Sequence, residues 1–322
     1  MTLTQRCSAV ITSLLLVVLV ASTAFAQTAP QAPPQPATAQ NPLVKEATGL
    51  ADAGKFGEAL ALFRKAVAAD PTLINAQLGV GRMLDLMGQH AEARKELAKA
   101  IELAGPEVKD EARTAMAVSY AFESRAADAA KSYEQVFNDR ASAANFNGAA
   151  ATANAMARVY LESGDLANAE KWYRTGYETS KKIKDLKPPQ ADLWQMRWLN
   201  AQARIAARRG NATEARTHAA AMKALLDKGE NPNEQPQYHY LLGYVALEAG
   251  DYDTAIAELS KGNLDDSFVL ALLARAYEKK GDAAKAAEYH TKALAAPGHT
   301  INAAFAHQWA REYYRRSGGQ EF

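Results

Sequence analysis

Arg197, Asn200, Arg204 and Arg208 stand at spacings of 3, 4 and 4, which places them along one stripe of a helix. A guanidinium presents a planar fork of donors that grips a carboxylate or phosphate through two bonds, so the stripe offers chemistry for an acidic ligand. No acidic residue lies between Asp192 and Glu214. Either a neighbouring element supplies carboxylates, or the stripe receives a ligand. Trp194, Trp198, Ala201 and Ile205 repeat the spacing beside it as an apolar stripe. Tyr240 and Tyr244, one turn apart, add rigid amphipathic contact area of the kind enriched at binding hot spots.

Nothing comparable is set out for catalysis. The chain has no HExxH, no G-x-S-x-G and no P-loop, and Gly79-Val80-Gly81 follows no strand. The single cysteine, Cys7, excludes a disulfide framework, a cysteine-ligated zinc site and an iron–sulfur cluster. His299 and His307 are eight residues apart with no third ligand evident, so neither a metal nor a cofactor is expected. Lys+Arg 37 against Asp+Glu 36 gives net +1, which argues against a generally basic nucleic-acid binder. Asn211-Ala212-Thr213 fits a glycosylation sequon but reads better as the start of a helix.

The elements that must carry these residues are helical. From Leu43 onward apolar residues recur at helix period, broken by short turns and without strand-like alternation. The turns read AGKFGEAL, MGQHAEAR, ESRAADAA, SGDLANAE, RGNATEAR, AGDYDTAI and KGDAAKAA. Anchored on Gly54, Gly88, Ser124, Gly164, Gly210, Gly250 and Gly281, their spacings are 34, 36, 40, 46, 40 and 31. A small residue precedes each turn: Ala47, Gly81, Ala117, Ala157, Ala203, Gly243 and Ala274. An alanine follows five residues after each: Ala59, Ala93, Ala129, Ala169, Ala215, Ala255 and Ala286. A bulky residue comes four later at Phe63, Leu97, Tyr133, Tyr173 and Leu259, with Ala219 and His290 as departures. Pro71, Pro106 and Pro297 are placed to stop second helices.

This pattern over about residues 43–298 resembles the tetratricopeptide repeat family. The resemblance implies an all-α, right-handed α-solenoid of about seven helix-turn-helix repeats whose first helices line a concave groove. The position six before each turn residue reads Thr48, Arg82, Val118, Arg158, Arg204, Tyr244 and Arg275. For Arg82, Arg158 and Arg275 the local acids Asp85, Glu162 and Glu278 favour ordinary intrahelical pairs. The middle of the array carries insertions at 181–189 and 229–236. Some family members clamp a peptide's terminal carboxylate with basic and asparagine groove residues; this chain lacks the matching set, so only peptide or protein binding carries over. Residues 301–316 form one more amphipathic helix, with Ile301, Phe305, Trp309 and Tyr313 on one face, expected to cap the last repeat.

Residues 1–26 have the pattern of an export signal: Arg6 before the run, apolar residues from Ala9 to Val20, and Ala24-Phe25-Ala26 as the cleavage site. Residues 27–42 hold five prolines in sixteen positions and no large apolar side chain, a spacer composition. The expected organisation is a signal over 1–26, a linker over 27–42, the solenoid over 43–298, and a capping helix and tail over 299–322. The expected role is a non-catalytic scaffold, periplasmic or secreted, binding a protein or peptide partner of acidic character. Its groove residues are Arg158, Arg197, Asn200, Arg204, Arg208, Tyr240 and Tyr244. One alternative is a membrane-anchored accessory factor that retains residues 1–26; another is a glycan-binding or enzymatic module.

Overall fold

The computed structural model describes residues 41–318. The signal over 1–26 and all but the last two residues of the linker lie outside the described residues. Asn41 begins the described chain by capping the first helix, its Oδ1 accepting from the Leu43 amide at 3.0 Å.

Fifteen α-helices follow, in seven antiparallel pairs and a final single helix. The pairs are α1 Pro42–Asp52 with α2 Phe56–Ala69, α3 Ile74–Leu86 with α4 His90–Leu103, and α5 Pro106–Ala121 with α6 Ala126–Ser142. Next come α7 Phe146–Glu162 with α8 Leu166–Ser180, α9 Pro188–Arg208 with α10 Ala212–Leu226, and α11 Gln235–Glu248 with α12 Tyr252–Leu259. Then α13 Ser267–Lys280 pairs with α14 Ala283–Ala295, and α15 Ile301–Arg316 ends the array. A short 3-10 turn at Pro232–Glu234 occupies part of the second insertion. Each helix packs on the next, which is the solenoid expected from the repeat.

The repeat positions explain the pairing. All seven alanines after the turns are fully buried, and so are the five alanines among the small residues before them. At the two glycines the approach is closer still. A Cβ on Gly243 would stand 2.5 Å from Leu259 Cγ and 3.0 Å from the Leu259 backbone nitrogen. Gly243→Ala is therefore expected to lower stability by about 1–3 kcal/mol through overpacking, despite the better helix propensity of alanine. Urea unfolding checks this; an unchanged or raised midpoint would mean that α11 and α12 can separate freely. The two departures also point inward, since Ala219 and His290 are buried.

The turns need a left-handed residue, and glycine supplies it at six of the seven, with φ between +73° and +88°. Ser124 adopts φ +54° at the third, and its Oγ donates to Gln308 Oε1 of α15 at 2.8 Å. Pro106 does not stop α4, which ends at Leu103; it is the first residue of α5, where its missing N–H costs nothing. Asn211 caps α10, accepting from the Glu214 amide at 3.2 Å, the role read for that segment.

The helix α15 does more than cover the last repeat. Its Trp309 packs on Phe268 of α13 with ring centroids 5.0 Å apart, and Tyr313 stacks on His290 of α14 at 4.5 Å. Ala306 packs with Leu270, Ala271 and Ala293 of α13 and α14, while the other side carries Ala303, Ala304, His307 and Ala310, all buried. That narrow side fits against the first helices of earlier repeats, with contacts to α5 and α7. Arg311 donates to the Leu86 carbonyl of α3 at 2.7 Å, across 225 residues of sequence. The inner face of the array is filled by the chain's own last helix.

Candidate functional site

Equal register brings the inner-face residues together. Arg158 and Arg204 hold the same position in successive repeats, so α7 and α9 present them side by side. Glu162 lies one turn beyond Arg158, and its side chain is fully buried. Around that carboxylate stand Arg158 Nε at 3.2 Å, Arg208 Nη1 at 3.4 Å and Arg204 Nη1 at 3.9 Å. A second carboxylate, Glu248 of α11, lies 3.9 Å from Arg208 Nε. Arg204 also donates to Tyr173 Oη at 2.8 Å and Tyr240 Oη at 3.4 Å, and Arg208 to Tyr244 Oη at 3.4 Å. The Arg158 guanidinium lies 4.2 Å from the centre of the Phe268 ring, a cation–π contact from α13.

Burial sets the electrostatics. It pushes the Tyr240 and Tyr244 hydroxyls above the ordinary phenol range, so both stay protonated donors and acceptors. Burial also works against the charge on Arg204, but Tyr173, Tyr240 and Glu162 outweigh it and hold its pKa above the usual arginine value. The three arginines of the cluster therefore stay charged. A cavity of about 220 Å³ adjoins it, lined by Leu247, Glu248, Gly250, Tyr252, Arg275 and Lys279.

The structure thus joins Arg158, Arg204, Arg208, Tyr240 and Tyr244 in one network, with Asn200 buried a turn before Arg204. Their setting differs from the open groove expected: Arg204 is 4% exposed, Tyr240 5% and Tyr244 0%. Arg197 is separate and exposed, its guanidinium 4.7 Å over the Trp194 ring. Of the two sources of counter-charge left open for the stripe, neighbouring helices supply it. The intrahelical pairs expected on the other arginines form only at Arg158. Arg82 instead reaches Glu111 of α5 at 2.7 Å, and Arg275 lies 4.4 Å over Trp309. Glu278 turns to His290 at 2.6 Å and to Arg316 at 3.3 Å.

A second cluster escaped the sequence reading. Asp85 of α3 is fully buried and accepts from Ser119 Oγ of α5 at 2.9 Å and His299 Nε2 at 2.8 Å, with His90 Nδ1 at 3.1 Å. Phe122 packs among His90, His299 and His307 at ring separations of 5.3, 5.6 and 5.7 Å. His299 and His307 therefore serve as a clasp between the second and third repeats and the C-terminal helix. Among the described residues, no group of three side chains is arranged to hold a metal. The sequence signal for this closure is the apolar run from Phe268 to Ala274: a first helix apolar all round cannot leave one face to water.

Three tetratricopeptide repeat models match the chain, over residues 50–117, 200–262 and 269–299. Among solved structures, a tetratricopeptide repeat protein from Parabacteroides merdae is 13% identical, with a TM-score of 0.49 over 83% of this chain and 97% of that one. The Cut9–Hcn1 hetero-tetramer of the APC/C is 18% identical, with a TM-score of 0.44 over 83% of this chain; the match spans 48% of its partner in the alignment, about half its length. BtubC from P. vanneervenii is 16% identical, with a TM-score of 0.45 over 75% of this chain and 92% of that one. No curated protein sequence matches.

Proposed function

The chain belongs to the tetratricopeptide repeat family, and from that premise we propose that it is a non-catalytic scaffold of the cell envelope that binds a protein partner through its inner face. The observation that carries this reading is the make-up of that face. Tyrosine, phenylalanine and guanidinium groups of α7, α9, α11 and α13 converge there from four successive repeats. Such side chains combine large contact area with directional hydrogen bonds and are those that dominate protein interfaces. Export rests on residues 1–26 alone, and we assign them as a signal removed after Ala26.

The test is photocrosslinking in cells. A photoreactive residue at Ser124, on the exposed rim beside α15, should give a discrete crosslinked partner in the envelope fraction; the same residue at Leu264, in the α12–α13 turn, should not. Mass spectrometry of the recovered chain should place its first residue at Gln27. An intact N-terminus in the membrane fraction would turn the reading to an anchored accessory factor. Equal crosslinking from both positions, or from neither, would sink the inner-face assignment.

A further inference from the structure

Ten buried side-chain nitrogen and oxygen atoms have no hydrogen-bond partner among the described residues, and they are not scattered. Arg158 Nε and Nη2, Glu162 Oε1 and Arg204 Nε belong to the inner-face network. His290 Nδ1, His299 Nδ1, both ring nitrogens of His307 and Arg311 Nε border α15 or belong to it. Only Arg94 Nη1 lies elsewhere. The four inner-face atoms stand within the ion-pair cluster of Glu162, Arg158 Nε 3.2 Å from Glu162 Oε1, so the five at α15 are the ones that mark a contact less fully bonded than the rest of the core. That contact is the seat of α15.

The two sides of the helix differ in bulk. Toward α13 and α14 it packs aromatic rings, Trp309 on Phe268 and Tyr313 on His290, and adds bonds from Asn302 to Asp266 at 2.7 Å and from the Tyr313 and Tyr314 hydroxyls to carbonyls of α14. Toward α3 and α5 it packs small side chains and the His307 ring, edge-on to Phe122, beside three polar bonds: Arg311 to Leu86, Ser124 to Gln308, and His299 just before the helix to Asp85. Between α14 and α15 runs Ala296-Pro297-Gly298-His299-Thr300, with Gly298 at φ +111°, a joint that glycine alone adopts freely.

We propose that α15 is a displaceable resident of the inner face, and that the partner replacing it is an amphipathic helix of the same chemistry. That helix has aliphatic and aromatic residues one turn apart, as Ile301, Phe305 and Trp309 are, and a basic side chain toward its C-terminus. The resident defines the occupant. The aromatic stripe fits the floor made by Phe268, and the basic end meets the Leu86 carbonyl near the buried Asp85 carboxylate. The cis contact shields the face until a better-matched helix arrives, so the scaffold is closed by default. This proposal rests on the inner face being the binding surface.

The test uses the full chain with Cys7→Ser and a fluorescent synthetic peptide of residues 297–318. In one form Ser124→Cys and Gln308→Cys are bridged by a short bis-maleimide, which ties α15 down at an exposed point. In the other, Gln308→Ala and Arg311→Ala remove two polar bonds while leaving the aromatic stripe. The weakened chain should bind the peptide at least about tenfold more tightly than the parent, and bridging should abolish binding. Equal peptide affinity before and after bridging, or no binding by a weakened chain that keeps its helical circular dichroism, would overturn the proposal. If the peptide binds as expected but no envelope partner crosslinks to the weakened chain, the scaffold reading fails while the displaceable helix stands.

Discussion

A chain carrying Glu162→Ala should lose about 3–5 kcal/mol of stability, the range for breaking a buried ion pair by removing one partner. The carboxylate is fully buried and faces Arg158, Arg208 and Arg204 within 3.9 Å. Without it, three guanidinium groups crowd an interior in which Glu248, 3.9 Å from Arg208, and Asp266, facing Arg158, supply the remaining opposite charge. Glu162→Gln keeps the shape and some hydrogen bonding but not the charge, so it should fall between the parent and the alanine variant. The control is Glu170→Ala. Glu170 pairs with Arg174 at 3.0 Å and Arg209 at 2.9 Å, but both arginines are about half exposed, and loss of an exposed pair costs no more than about 1 kcal/mol. Urea unfolding of the three variants settles the matter: similar losses at Glu162 and Glu170 would show that the network does not hold the array together.

This result bears on how the basic stripe can be probed. Changing Arg204 or Arg208 to glutamate would place a like charge against Glu162, so loss of a partner in such a variant would report unfolding. Arg197 is exposed and outside this network, so reversing its charge spares Glu162, although it sets a like charge against Glu234. The inner face is better tested by freeing or fastening α15.

Acid should loosen the clasp, with His307 as the main titrating group. Its ring is fully buried, and burial, with Arg311 adding to it, drives its pKa from 6.5 to about 3. The groups that face the cluster are Asp85 and Arg82 of α3, His90 of α4, His299 before α15 and Arg311 on it. In the closed form His307 is neutral, whereas once exposed it takes up a proton near its ordinary 6.5. The open or unfolded state thus binds more protons, and stability rises with pH. The contribution is intact above about pH 6.5 and declines as pH falls toward about 3. At about 1.4 kcal/mol per unit, a drop to about pH 5 removes about 2 kcal/mol. His299 acts in the same direction, because burial lowers its pKa despite the Asp85 carboxylate. Asp85 is itself held below its ordinary 3.8 by His299, His90 and Ser119 against the effect of burial, so its contribution is lost only below that window. His307→Phe should flatten the slope, since a phenyl ring can occupy the place beside Phe122 without titrating. Hydrogen exchange of the α15 amides at about pH 7 and about pH 5 reads the effect directly; the same acid response in both chains would exclude His307 as its source.

Much of the inner network was present in the repeat itself. Two residues before the turn, the fourth to sixth repeats carry Glu162, Arg208 and Glu248, which alternate in charge once the repeats are stacked. Reading along each helix separately hid this, because the partner of Arg208 is not three or four residues away but one repeat away. For the same reason the spacing along each helix points Arg82 to Asp85 and Arg275 to Glu278, whereas their partners in the structure, Glu111 and Trp309, lie on other helices. The small positions were legible without any such stacking, since helix pairing depends on the residue's own size.

Helices, turns and the order of pairing are written into the chain locally. These follow from local causes: helical periodicity, a left-handed residue at each turn, and small side chains where two helices touch. Covering of the inner face arises only once the whole array has folded. That outcome depends on how the small rotation between repeats accumulates over seven pairs, until α15 comes within reach of α3 and α5. No single repeat contains that sum. It turns an expected groove into an interior, pairs the arginines with carboxylates from other repeats, and joins Asp85 to a histidine 214 residues away.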